Sequence, residues 1–103
     1  MMIKVLTKRA CVQYDVTIFQ TPKRRENKGH MAVYRTTVKA VNRENCLKET
    51  FSIFNVTDRI PENYKGRFLS TGDIIFIDEG RGGQYYYQLK PGGWVPINRI
   101  NLL

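Results

Sequence analysis

The chain has 103 residues, 42% of them hydrophobic and 12% aromatic, which suffices for one folded core and is too short for two. Its formal net charge is +8, a field that draws nucleic acid, anionic lipid or an acidic protein face without choosing among them. No apolar run reaches the roughly 18 residues of a membrane span, and the first residues lack the apolar core and cleavage pattern of a signal peptide, so a cytoplasmic location is expected.

The basicity is uneven. Residues 1–50 carry 11 Lys and Arg against 4 Asp and Glu, whereas residues 51–103 carry 6 against 5. Two cysteines, Cys11 and Cys46, stand with a single histidine. That set offers no zinc-binding spacing, and a disulfide between the two would require export. Cys46 reads as a small buried residue on a helix, and Cys11 is left unassigned. No metal or cofactor is expected.

In chain order, residues 1–12 form an N-terminal segment with a candidate short strand at Ile3–Leu6, and residues 13–103 read as a single domain. Tyr14–Gln20 alternates, with Tyr14, Val16 and Ile18 on one face and Asp15 and Thr17 on the other, which predicts a half-buried strand. Pro22 ends it, and the polar run closing on Gly29 predicts a loop. His30–Val41 is the partner strand, with Ala32, Tyr34, Val38 and Ala40 inward and Arg35, Thr37 and Lys39 outward, so the two form a hairpin around a basic loop.

The period then changes. Asn42 is a candidate helix cap with Glu44 in the first turn, and Val41 and Cys46 occupy the flanking staple positions. Leu47, Phe51 and Phe54 recur at helical spacing and predict one amphipathic helix over residues 43–54. Through residues 56–72 periodicity is lost, and Phe68 and Leu69 are the expected plugs that fasten this loop to the core. Asp73–Asp78 is apolar on both faces, the mark of a central covered strand. Glu79–Gly83 is a turn, Gln84–Lys90 a strand, Pro91–Gly93 a second turn and Trp94–Ile97 a short edge strand, because Pro96 cannot donate to a ladder. The order β-β-α-β-β-β predicts an α+β fold: an antiparallel, strongly curled sheet of about five strands with one amphipathic helix.

Several turns in residues 45–97 share one pattern of order and spacing: Phe54-Asn55, then Pro61-Glu62-Asn63-Tyr64-Lys65-Gly66-Arg67, Leu69-Ser70-Thr71-Gly72-Asp73-Ile74-Ile75, the Tyr85–Tyr87 strand and Gly93-Trp94. This run resembles the YodL-like family, with Phe68 standing where that family often has Ser. The resemblance implies a small cytoplasmic protein linked to sporulation that antagonises the actin-like MreB cytoskeleton and so affects cell shape.

The residues themselves supply candidate contacts and no reactive centre. Lys23, Arg24, Arg25 and Lys28 in the loop, with Arg35 and Lys39 on the next strand, form either an electrostatic docking patch for an acidic partner or a solvated hairpin tip. In a strand, Tyr86 points opposite to Tyr85 and Tyr87, so at least one ring leaves the core for a contact surface or for cross-strand packing. Trp94 reads as an anchor of the sheet end or as a further partner contact. Arg81-Gly82-Gly83 is better read as hairpin glycines than as an RNA-binding element. Asp73 is expected to accept backbone hydrogen bonds in its turn. His30 has no nucleophile or orienting carboxylate at a recognisable spacing, so an enzyme is not expected. Protein binding is the first expectation, and a basic nucleic-acid-binding module the alternative.

Overall fold

The computed structural model describes residues 10–23, 26 and 28–99. The candidate strand at Ile3–Leu6, together with Arg24 and Arg25, lies outside the described residues. The elements are β1 (Val12–Gln20), β2 (Met31–Ala40), α1 (Arg43–Asn55), β3 (Ile74–Asp78), a 3-10 turn (Gly80–Gly82), β4 (Gln84–Lys90) and β5 (Gly93–Ile97). The five strands are all paired antiparallel, in the order β2-β1-β3-β4-β5. The fold is therefore α+β, with β3 central and β2 and β5 at the edges.

The helix starts where the sequence predicts. Asn42 is extended, and its side chain accepts from the Asn45 amide at 2.8 Å. Asn45 in turn accepts from the Val41 amide at 3.0 Å, so two otherwise orphaned donors are satisfied reciprocally. The buried stripe, however, runs through Cys46, Leu47, Thr50 and Phe54. Thr50 fits because its hydroxyl donates to the Cys46 carbonyl at 2.8 Å, which leaves only its methyl to pack. Phe51 falls outside this stripe and is 38% exposed.

α1 lies on the sheet face formed by Val16, Ile18, Val38, Ala40, Ile75 and Ile77, all buried with Cys46, Leu47 and Phe54 in one core. Three rings close its end. Phe54 meets Tyr64 at 4.8 Å and Tyr34 at 5.6 Å, and Tyr34 stands edge-on to Tyr64 at 5.4 Å. These contacts tie the helix C-terminus, β2 and the long loop together.

Ala32 departs from the predicted face. The register shifts between Ile18 and Phe19, so that Ile18 opposes Tyr34 but Phe19 opposes Ala32. One extra residue, Val33, is inserted into β2. It flips the parity of the strand's start, and Ala32 is exposed while Val33 packs on the core. Phe68 is also displaced from its expected role. Leu69 is buried, but Phe68 is 52% exposed. The side chain of Asn55 clamps the Leu69 backbone, donating to its carbonyl at 3.0 Å and accepting from its amide at 2.8 Å. That clamp directs Leu69 inward and its neighbour outward.

Candidate functional site

The face of the sheet opposite α1 carries a cluster of aromatic and apolar side chains. One cross-strand row reads Arg35, Thr17, Phe76, Tyr86 and Ile97, and the next reads Ala32, Phe19, Ile74, Gln88 and Val95. Phe76 and Tyr86 are directly opposed and stack at 4.5 Å with their planes 24° apart. Phe19, Phe76, Tyr86 and Ile97 are half-buried and Val95 is exposed. Among the described residues no helix covers this face. Central β3 is sealed on the helix side by Ile75 and Ile77, and on the other side Ile74 is buried while Phe76 is half-buried, so no residue of the strand is exposed.

Charge on this face is balanced. The Arg35 guanidinium meets Asp15 through two bonds, Nε to Oδ1 at 2.9 Å and Nη2 to Oδ2 at 2.6 Å. Those hydrogen bonds from Arg35 hold the Asp15 carboxyl below its ordinary range. Lys39 is exposed opposite Gln13 on the same side. Lys23 and Lys28 are exposed in the loop that joins β1 and β2.

Tyr86 and Trp94 cannot serve one contact surface. Trp94 opposes Leu89, three residues from Tyr86, which puts it on the helix side, where it packs on the core. There it lines a groove of about 560 Å³ with Tyr87, Leu47, Glu44 and Lys48. Tyr85 shares that side but not that groove. Its ring lies beneath Arg43, 3.7 Å from centroid to guanidinium carbon, and its hydroxyl donates to the Gly82 carbonyl at 2.6 Å. Arg43 also reaches Glu79 at 3.4 Å, so the helix start is fastened to the β3–β4 turn.

Asp73 does more than its turn requires. It accepts from the Ser70 amide at 2.9 Å, as expected, and also from Gln20 Nε2 at 3.0 Å and Arg67 Nη2 at 3.2 Å. Arg67 Nη1 donates onward to the Thr21 carbonyl at 2.8 Å, and the Gln20 amide oxygen accepts from the Arg67 backbone at 3.1 Å. Tyr64 donates to the Arg67 carbonyl at 2.6 Å. This lock joins the end of β1 to a loop about 50 residues away in sequence. Burial pushes the Asp73 carboxyl up against the opposing pull of these bonds, and burial pushes the Tyr64 hydroxyl up to about 12. A Cβ on Gly66 would stand 2.5 Å from the Tyr64 hydroxyl, so the loop needs glycine there to approach so closely.

His30 joins the edge of the lock. Its Nε2 is 2.7 Å from the Gly72 carbonyl, which also accepts from Gln88 Nε2 at 3.0 Å. Imidazole and carboxylate therefore come near one another, but the Cys46 thiol does not join them. It lies on α1 beside Thr50, and burial pushes it up to about 11. Among the described residues no group of His, Cys, Asp and Glu side chains could hold a metal ion, and no helix is long and apolar enough to cross a membrane.

No protein-family profile matches the chain, and no solved structure matches it. The chain is similar to the uncharacterized protein YodL of Bacillus subtilis (strain 168), with 54% identity over 100 residues that span 97% of this chain and 95% of that one. Identity of that level over nearly the whole length places the chain in the YodL family.

Proposed function

We propose that this protein is a cytoplasmic binding module that antagonises the actin-like MreB cytoskeleton, and so affects cell shape in connection with sporulation. The observation that carries the binding reading is the second sheet face, where Phe19, Phe76, Tyr86, Val95 and Ile97 lie together with no described helix over them. An antiparallel sheet with one solvated face ordinarily presents polar side chains there. Aromatic rings in that position are the composition of a contact surface. The choice of MreB rests on the likeness of residues 45–97 to the YodL-like pattern.

In this reading the open face supplies the apolar contact, and the loop residues Lys23, Arg24, Arg25 and Lys28 with Lys39 steer the domain to an acidic surface. Steering charges raise the association rate more than the affinity. Co-sedimentation with purified MreB filaments at moderate salt tests the proposal. Binding that falls at least tenfold in Tyr86→Ala is the expected result. Absence of binding by the unaltered protein overturns the choice of partner.

A second reading has one observation in its favour, since stacked aromatic side chains on a sheet can also receive nucleic-acid bases. It predicts binding to mixed-sequence RNA or DNA whose logarithm falls linearly with the logarithm of salt concentration. A gel shift across a salt series separates the two readings.

A further inference from the structure

The two edges of the sheet differ. β5 has only five residues and carries Gly93 and Pro96, and a proline has no N–H to offer a further strand. β2 has ten residues and no proline. It pairs with β1 on one side, and among the described residues no backbone hydrogen bond joins its outer edge to a loop. Every second residue of such a strand turns its N–H and C=O outward, where they form a template for another chain. From Tyr34 to Ala40, beyond the irregularity between Ile18 and Phe19, the pairing with β1 is unbroken. That stretch offers a regular edge of about 23 Å. Charge is one means by which natural sheets guard such an edge, and here the charge is selective. On the open face β2 presents Arg35, Thr37 and Lys39. Asp15 neutralises Arg35. Lys39 is exposed opposite Gln13 and, among the described residues, makes no ion pair.

We propose that the outer edge of β2 over Tyr34–Ala40 is a strand-addition site for an extended acidic segment of a protein partner. The segment would carry carboxylates on the side that meets Lys39, and β-branched apolar residues on the side that meets Tyr34 and Thr36, which are half-buried on the helix face. In this mode the backbone groups supply the pairing and the side chains select the sequence. A second copy of the chain fits poorly. Two-fold antiparallel pairing of β2 with itself, centred on Thr37, Val38 or Lys39, sets Lys39 opposite or diagonal to Arg35 or Lys39 of the copy, and like charges so placed are destabilising. Each copy also carries a formal charge of +8, which opposes association. The same charges favour an acidic strand, and the exposed Lys23 and Lys28, in the loop that leads into β2, extend the attraction toward its other end. The site is separate from the aromatic face and requires neither that face nor MreB.

Strand addition has a signature that charge attraction alone lacks. In the unbound protein, amide hydrogen exchange along Tyr34–Ala40 should alternate, slow where the N–H pairs with β1 and fast where it faces outward. The probe is N-acetyl-Val-Glu-Val-Glu-Val-Glu-Val-amide, titrated into ¹⁵N-labelled full-length protein. It should slow the fast set by about tenfold or more, with resonance shifts concentrated in β2. N-methylation at the central residues of the peptide removes its backbone donors and should weaken binding by about tenfold or more. Replacing its Glu residues by Gln, or Lys39→Gln in the protein, should weaken binding by about threefold or more, and the exposed Lys39→Gln change should leave the unfolding midpoint in place. Outward amides already protected in the monomer, a peptide that leaves them fast, or equal binding of the Glu and Gln peptides would overturn the assignment. Sedimentation as a dimer with β2 protected would overturn the choice of occupant. MreB co-sedimentation is read through Tyr86→Ala on another surface, so either proposal can fail without the other.

Discussion

Replacing Asp73 by alanine should unlock the two loops without touching the hydrophobic core. The carboxylate is 1% exposed and receives three donors, from Gln20, Arg67 and the Ser70 backbone. Its charge partner Arg67 is 27% exposed, so the ion pair is largely desolvated. Removing one member of such a pair typically costs about 3–5 kcal/mol, because the other charge stays buried and unpaired. Two neutral donors lose their acceptor as well, at about 1 kcal/mol or more each. Against this, the mutant no longer has to bury an ionised carboxylate, a cost visible in the upward push on its pKa. The net expectation is about 3 kcal/mol, a large part of the 5–15 kcal/mol that holds a domain of this size together. Urea unfolding followed by the fluorescence of Trp94, the single tryptophan, measures it. Asp73→Asn keeps one acceptor oxygen and should lose about half as much. Arg67→Met combined with Asp73→Ala should cost clearly less than the sum of the two single changes. A Asp73→Ala protein within about 1 kcal/mol of wild type would refute the reasoning, for the lock would then hold nothing.

The two thiols should differ sharply in reactivity. Cys11 is exposed, whereas Cys46 is buried with its thiol pushed to about 11, which leaves only about a thousandth of it as thiolate at pH 8. Titration with a chromogenic disulfide should therefore find one prompt thiol in the native protein and the second only in denaturant, and two prompt thiols would contradict the burial of Cys46. Alkali should destabilise the fold from about pH 9 to about pH 12. Cys46 ionises at its ordinary 9 when unfolded and near 11 when folded, and Tyr64 at 10 and near 12. Over that window the unfolded chain gives up protons that the native state keeps, so unfolding becomes easier as pH rises. A urea midpoint that stays constant across the window would rule this out.

The elements with a clean period were legible in the sequence. The alternation of Tyr14, Val16 and Ile18 and the Asn42 cap are local signals, and each produced the element it announced. The failures have specific physical causes. Unbroken parity along β2 turns Ala32 inward, and an inserted residue at Val33 reverses it without leaving a mark in composition. Leu47, Phe51 and Phe54 share a helical spacing, but the buried stripe runs through Thr50 in place of Phe51, because Thr50 hides its hydroxyl on its own helix. A large ring in a loop is ordinarily a plug, which places Phe68 in the core, whereas Phe68 is exposed. The lock leaves little local signal because its members, Gln20, Arg67 and Asp73, do not lie together in sequence. One signal was present: Gln20 has the same parity as Tyr14, Val16 and Ile18, so a polar amide was bound to point inward, and a buried amide requires partners. Tyr86 and Trp94 are separated by parity too, but only once the register places Trp94 opposite Leu89.

Where the charge resides determines how the contact surfaces would work together. All nine carboxylates belong to the described residues, which hold 12 of the 17 Lys and Arg. Four of those cations are paired: Arg35 with Asp15, Arg43 with Glu79, Arg59 with Glu49 and Arg67 with Asp73. The remaining five are Lys4, Lys8, Arg9, Arg24 and Arg25. Most of the +8 therefore belongs to residues 1–9 and the β1–β2 loop rather than to the aromatic face, where Asp15 neutralises Arg35. Long-range attraction and short-range fit are thus assigned to different residues. Salt screens charge interactions beyond about 8–10 Å at physiological ionic strength, while ring packing is insensitive to it. In the proposed binding mode, such a surface would meet its partner at a rate set by the basic segments and release it at a rate set by the rings. Charge reversal in the loop and truncation of Tyr86 would then act on different rate constants of one complex.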